Sequence, residues 1–522
     1  MHSPRISKLS FALFFVLACA RPALAAPLLP SSVSNPQDLA ILAVGLTFLL
    51  PIGLMLLMVA AFSREQAIDA LTGGVVAWAL ASVAYFAVGF AFQFGGIAVY
   101  HDIPDLKGLY WEYSLLDTTW GTGWGMIGLK GFFLLNEAST PGALTVFLSQ
   151  LPLLGVASLI LYFALHGRGP RGVILLASLV MGGLIYPLVG NWTWASGWLA
   201  NLGRNLAQGH GLVDAGGSGQ IALLGASAAL AALLVHRPKH ARPSPDEIQD
   251  AADDGAAVQG EAQDTSMPPV QLPLLAVLGA TLMIIGWIGT AFLVHLPTAV
   301  EVPPAPVIAN LVLAAMGAAL TAGLYSWFTT SHLNSLMSAR AMVAGLVVAA
   351  AGAPFIPAWS ALAAGLAVGI LLPLLIYFFD RVVCLEDTGA ILATFGAPAL
   401  LGLLLPALVA DGRYGAGWNG VGAESFLGVA GQGISGLLVA SGFAVDWPGQ
   451  MYAQLVGVTA ILVWSGVVTW LLLRGLTGLI QAWQRTGLEF GAPPQPAASE
   501  DEVLPAREDS LMPREDQTAG AG

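Results

Sequence analysis

The chain alternates between long apolar stretches and short polar ones, and the lengths of the apolar stretches set the architecture. A helix needs about 20 residues to cross roughly 30 Å of hydrocarbon. Eleven stretches reach or approach that length: 39–62, 72–96, 141–165, 172–190, 217–235, 272–296, 306–328, 341–357, 358–379, 388–410 and 450–479. Pro354 and Pro357 blur the border between the eighth and the ninth. Gly and Pro recur inside the stretches, as spanning helices tolerate when their neighbours pack closely. The pattern predicts an all-α membrane protein of eleven transmembrane helices.

Composition agrees and charge adds orientation. With 56% hydrophobic and 10% charged residues, the 522-residue chain is too apolar for an ordinary soluble domain. Its formal charge of −12 is local, because fourteen of the thirty-one acids fall within 246–264 and 500–516. No basic stripe is interleaved with aromatics, which argues against a nucleic-acid partner. Residues 1–25 carry Arg5 and Lys8, an apolar run and Ala23-Leu24-Ala25, the pattern of a signal peptide. After its removal Cys384 is the one remaining thiol, expected to be half-buried and inert, and it excludes a Cys-rich metal site. If the mature N-terminus lies outside, twelve Lys and Arg residues flank the inner ends of the helices and four the outer ends. That asymmetry predicts an N-out, C-in chain with an odd number of spans.

The longest polar insertion, 237–270, is basic, then acidic and Pro-rich, and reads as a disordered inner linker. It divides the first ten spans into five and five. Halves with an odd number of spans insert in opposite senses, which makes a 5+5 inverted repeat plus one C-terminal helix and puts a site at the midplane. The halves echo one another in sequence. Asp214 opens the fifth stretch with Ala222 eight residues on, and Asp387 opens the tenth with Phe395 eight residues on. An Asp at such a place accepts bonds from the first-turn N–H groups and faces the positive end of the helix dipole.

The run Trp194-Ala195-Ser196-Gly197-Trp198-Leu199-Ala200-Asn201-Leu202-Gly203, followed by Asp214-Ala215-Gly216-Gly217-Ser218-Gly219, resembles the Amt/Rh ammonium transporters. Gly286-Trp287, Gly415-Ala416-Gly417-Trp418-Asn419-Gly420 and Gln454-Leu455-Val456-Gly457 fit the same family register, and the likeness extends over 36–487. It implies a bacterial inner-membrane protein, a homotrimer, and an ammonium or ammonia channel or transporter that uses no cofactor and no metal. An Amt-like paralogue that is differently selective or non-conducting, acting as a sensor or scaffold, is the alternative.

The departures from the family all fall on chemistry. Trp194 keeps the outer aromatic position, as an interface anchor or as a cation–π floor. The resemblance puts Ser149 and Val294 at other outer-site positions, with His295 beside them as an interface residue or a replacement binding group. Leu153 and Thr290 stand at gate positions. Ala222 and Phe395, with Thr394 as the neighbouring alternative, stand where the family has paired pore histidines. Asp214 and Asp387 are expected to be structural helix-start acids. Arg340 takes the place of an Asn ahead of the eighth span. The tail 488–522 is acidic and lacks the family's C-terminal pattern, which makes a PII-type regulator doubtful. No Walker loop, metalloprotease helix or catalytic triad is present, so an enzyme is not expected.

Overall fold

A computed structural model of the protein describes residues 36–62, 64–236, 271–294, 296 and 300–485. The signal-like segment 1–25, the linker 237–270, His295 and the tail 488–522 lie outside the described residues. The chain falls into two units, 1–476 and 477–522, and the described part of the second is the end of the last helix.

Among the described residues, ten helices are long and apolar enough to cross a membrane. They are α1 (Asp38–Val59), α2 (Gln66–Val99), α3 (Pro141–Leu165), α4 (Arg171–Thr193), α5 (Ser218–Val235), α6 (Pro273–Thr290), α7 (Pro304–Thr330), α9 (Ala358–Val382), α10 (Leu392–Val409) and α11 (Gly449–Ile480). The apolar helix Ser335–Ala350, here α8, is shorter. The eighth stretch, expected at 341–357, therefore begins and ends earlier in the structure. Pro354 disfavours helical backbone at the residue before it, and a run of turns fills 351–355. Arg340 consequently sits inside α8 and not ahead of it.

The packing of the helices pairs the two halves. Helices α2, α3 and α4 pack on one another, and α7, α8 and α9 do the same. Between the halves, α1 packs on α6, and the starts of α5 and α10 each lie against the other helix. Both cross-pairs run antiparallel: Gly53 lies against Gly279 and Gly289 against Ala43, while Gly219 lies against Leu403 and Gly396 against Ala226. Partner helices of opposite direction are what two oppositely inserted halves require.

Local geometry repeats as well. Asp214 Oδ2 accepts from the N–H groups of Gly219 and Gln220 at 3.0 and 2.9 Å, and Asp387 Oδ2 accepts from Leu392 N–H at 2.8 Å. Each acid is followed by a π-helical segment, Ser218–Leu223 and Leu392–Gly396. Such widened turns favour functional sites, because they shift the register of side chains against their neighbours.

At the Trp194 end, the loop from 97 to 140 folds over the helices through short turns and a small hairpin, β1 (Glu112–Tyr113) paired with β2 (Ile127–Gly128). A second hairpin joins β3 (Ser425–Phe426) to β4 (Val429–Ala430). The loop preceding Asp214 is held by two glutamines one turn apart on α11. Gln450 bonds His210 N–H and Gly211 C=O, and Gln454 bonds Val213 N–H and C=O. Each amide satisfies a buried backbone donor and acceptor together, which leaves the loop without orphaned peptide groups there.

His210 lies in this loop and is fully buried, its ring 4.3 Å from that of Phe426. Among the described residues neither ring nitrogen has a hydrogen-bond partner, and burial pushes its pKa down to about 4 from 6.5. The folded cap therefore favours the neutral ring. The stability this contributes is complete above pH 6.5 and is lost as pH falls toward 4, up to about 3 kcal/mol. Nearby Asp446 is shifted the other way, up to about 6 by burial, so wild type is best compared with His210→Gln, which shares that group. The expected result is a thermal midpoint that falls less steeply with acid in His210→Gln. Equal acid sensitivity in the two proteins would contradict it.

Cys384 departs from expectation. It is exposed, in a left-handed backbone conformation (φ 55°), in the loop that leads to Asp387.

Candidate functional site

Five of the positions singled out from sequence surround one cavity. Ser149 and Leu153 come from α3, Trp194 from the turn after α4, Thr290 from the end of α6, and Val294 from the turn beyond it. The cavity measures about 30 Å³, enough for one or two molecules the size of water. Gln150, Ala215, Gly216, Leu293 and Trp418 complete its wall.

Trp418 and Gln150 escaped the sequence reading, although Trp418 stands in the run 415–420 and Gln150 is the neighbour of Ser149. Gln150 lies beside Ser149 in the aligned stretch of α3. Trp418 is flanked by glycines in a loop between α10 and α11, and only the folded chain brings that loop over Trp194. It is 2% exposed and is wedged edge-on against Phe355, ring centroids 5.1 Å apart.

Hydrogen bonds make the wall rigid. The Trp194 indole donates to Asp214 C=O at 2.7 Å, and the Trp287 indole donates to Gly216 C=O at 3.0 Å. Ala215 N–H donates to Ala351 C=O at 3.0 Å. The Ser218 hydroxyl donates to Val347 C=O and accepts from Ala351 N–H, at 2.6 and 2.8 Å. The segment 214–218 is thus tied to α4, α6 and α8 while Asp214 caps α5. Asp214 thus caps α5 through its side chain and holds Trp194 through its backbone carbonyl.

Ala222 and Phe395 are fully buried, so neither faces lipid. Thr394 is also fully buried, and among the described residues its hydroxyl has no hydrogen-bond partner. At the far end, Arg340 donates to Thr388 C=O at 3.2 Å and Arg168 donates to Glu386 C=O. Two guanidinium groups therefore grip the loop that presents Asp387 to α10. Burial raises the Asp387 pKa, while bonds from Leu392 and Ile391 and the field of Arg340 pull it back. His295 lies outside the described residues. Among the described residues no three His, Cys, Asp or Glu side chains cluster as metal ligands.

Apolar helices in antiparallel cross-pairs around a cavity of small-solute size define a multi-pass membrane protein. Residues 39–482 match the Ammonium Transporter Family, and the chain belongs to that family. It is 26% identical to ammonium transporter Amt2 of Archaeoglobus fulgidus over 359 residues, covering 68% of each chain. It is 24% identical to an ammonium transporter of Aquifex aeolicus over 355 residues, covering 67% of this chain and 70% of that one. The fold is shared with a solved structure described as a sensor Amt protein (TM-score 0.63, 22% identity, 85% of this chain and 93% of that one). It is shared too with Mep2 of Saccharomyces cerevisiae (TM-score 0.61, 18% identity, 85% and 88%).

Proposed function

We propose that the protein conducts ammonium or ammonia across a bacterial inner membrane through the cavity walled by Trp194 and Trp418. The observation that carries this reading is the cavity itself, about 30 Å³, whose wall is apolar apart from a few placed polar groups. A charged or strongly hydrated solute stripped of water loses several kcal/mol, and indole faces return roughly 0.5–2 kcal/mol each to a cation. A cavity of this size excludes a hydrated ion and admits a small amine. Further along, Ala222 and Phe395 offer the permeant neither charge nor a side-chain hydrogen bond, so selection by polar contact falls to the cavity.

The lysine and arginine distribution supports an N-out chain of eleven spans, with α8 as the short one and the Trp194 end outside. A homotrimer and a cleaved 1–25 segment are carried by the family likeness. The transport reading is tested by uptake of labelled methylammonium into cells lacking other ammonium transporters. Cells producing the protein are expected to accumulate label above vector controls, and Trp194→Leu to lose most of that gain. Accumulation no greater than in the controls would refute the proposal.

A further inference from the structure

We infer that the recess at the ends of α2, α3 and α4 opposite Trp194 binds a phospholipid with an ethanolamine headgroup, its phosphate held at Arg168 and Arg171 and its ammonium at Asp69 and Glu386. The site shares no residue with the cavity at Trp194 and stands apart from the transport reading.

The recess measures about 880 Å³, which is the size of a site for a substantial organic ligand. Along α2 it is lined from Gln66 to Val76, about 15 Å at the rise of a helix. The wall changes character over that depth. Asp69, Arg168, Arg171 and Glu386 lie where the helices begin or end, whereas Val76, Ile174 and Leu175 lie a turn or more inside them. The polar layer on each side of a bilayer is only about 5–8 Å thick, so the deeper part stands at the level of hydrocarbon. A small solute that is polar throughout suits the upper level alone. A charged head on apolar chains suits both, and the exposed side chains of Val75, Val76 and Leu176 carry the apolar surface on toward the bilayer interior.

The charges at the rim select the head. The Arg168 guanidinium donates to two carbonyls, Ala164 at 3.0 Å and Glu386, and among the described residues no carboxylate lies within ion-pair distance of it. Carbonyls leave its charge and its further N–H groups for an anion, and the planar fork suits a phosphate. Arg171 pairs with Asp69 at 3.0 Å, with both side chains largely in solvent. Such a pair is worth little, so its members are free to exchange one another for the phosphate and the ammonium of a bound head. Glu386 places a second carboxylate on the same rim. His166 is bonded to the Tyr162 hydroxyl at 3.1 Å, and burial lowers its pKa, which keeps the ring neutral at pH 7. The lining therefore presents two guanidinium groups and two carboxylates. A glycerol headgroup, anionic with no cation, leaves both carboxylates unmatched. A choline head brings a cation without an N–H to donate, whereas an ethanolamine head brings a cation with three.

The test uses the full-length protein in detergent and titrates its thermal stabilisation by dioleoyl phosphatidylethanolamine, phosphatidylcholine and phosphatidylglycerol, which share their acyl chains. The midpoint concentration for the ethanolamine lipid is expected to lie about tenfold below those of the other two, the size of one charge-assisted hydrogen bond gained. The double variant Asp69→Asn, Glu386→Gln is expected to lose that preference and to bind the glycerol lipid more tightly than wild type does. Thr72→Trp, which puts an indole into the recess from an exposed position, is expected to leave the three lipids indistinguishable. Equal midpoints for the three lipids in wild type overturn the inference, as does an ethanolamine preference that survives in the double variant. If the double variant does not fold, Thr72→Trp decides in its place, and a preference retained there overturns the inference. Soluble phosphoethanolamine at the same concentrations is expected to give no stabilisation. Stabilisation equal to that by the lipid would assign the recess to a free metabolite and overturn the lipid site.

Discussion

Replacing Asp214 by Ala is expected to lower stability by about 3 kcal/mol and to abolish methylammonium uptake, whereas Asp214→Asn is expected to stay within about 1 kcal/mol of wild type. Asp214 is 1% exposed, and its Oδ2 accepts from the N–H groups of Gly219 and Gln220, both of which alanine would leave without that partner. A buried orphaned donor costs about 1–3 kcal/mol, and two are at stake. Asparagine keeps an acceptor oxygen in the same place and gives up only the attraction between a carboxylate and the positive end of α5. Function falls with the cap because Trp194 is bonded to the carbonyl of this residue, so the aromatic wall loses its fixed position when the segment loosens. Thermal melting and uptake on the same preparations test the claim. If Asn proves as damaging as Ala, the charge and not the capping oxygen is what matters, and the structural role assigned to Asp214 fails.

A larger effect is expected where the halves touch. At Gly279 an added Cβ would lie 2.5 Å from Gly53 C=O and 2.7 Å from Leu57 N–H, and at Gly53 it would lie 2.5 Å from Gly279 C=O. The obstructing atoms are backbone, so no rotamer change makes room. Gly279→Val must push α1 and α6 apart, at a cost of about 3–5 kcal/mol, and the expected outcome is loss of monodisperse protein on size-exclusion chromatography. Gly45→Ala, in α1 with nothing within 4 Å of the added atom, is the matched control and is expected to behave as wild type. Well-behaved Gly279→Val would mean that this approach is looser than described.

The helices and their family were legible in the sequence because a bilayer removes alternatives. In hydrocarbon every peptide group must bond within its own segment, so a sufficiently long apolar run is a helix with little further argument. Only α8 escaped, since hydropathy measures where a segment is apolar and not where its backbone turns; the break near Gly352–Pro354 lies in residues as apolar as the helix itself. Asp214 and Asp387 were readable for a local reason, a carboxylate just ahead of a helix start, and the structure shows both accepting from the first turn.

The wall of the cavity was legible only in part. Spacing along α3 and α6 brings Ser149, Leu153 and Thr290 forward by family register, but nothing along the chain says that Trp418, more than two hundred residues from Trp194, closes the same space. The partners of Gln150 were out of reach as well, because Gln93 and Tyr186, which bond its amide oxygen, come from other helices. The sequence by itself determined the membrane class, the family and the pairing of Asp214 with Asp387, since these follow from hydrophobicity and from contacts within a turn. The closed aromatic wall and the hydrogen bonds that hold it were decided by tertiary structure, because both depend on groups far apart in the chain meeting only once the helices have packed.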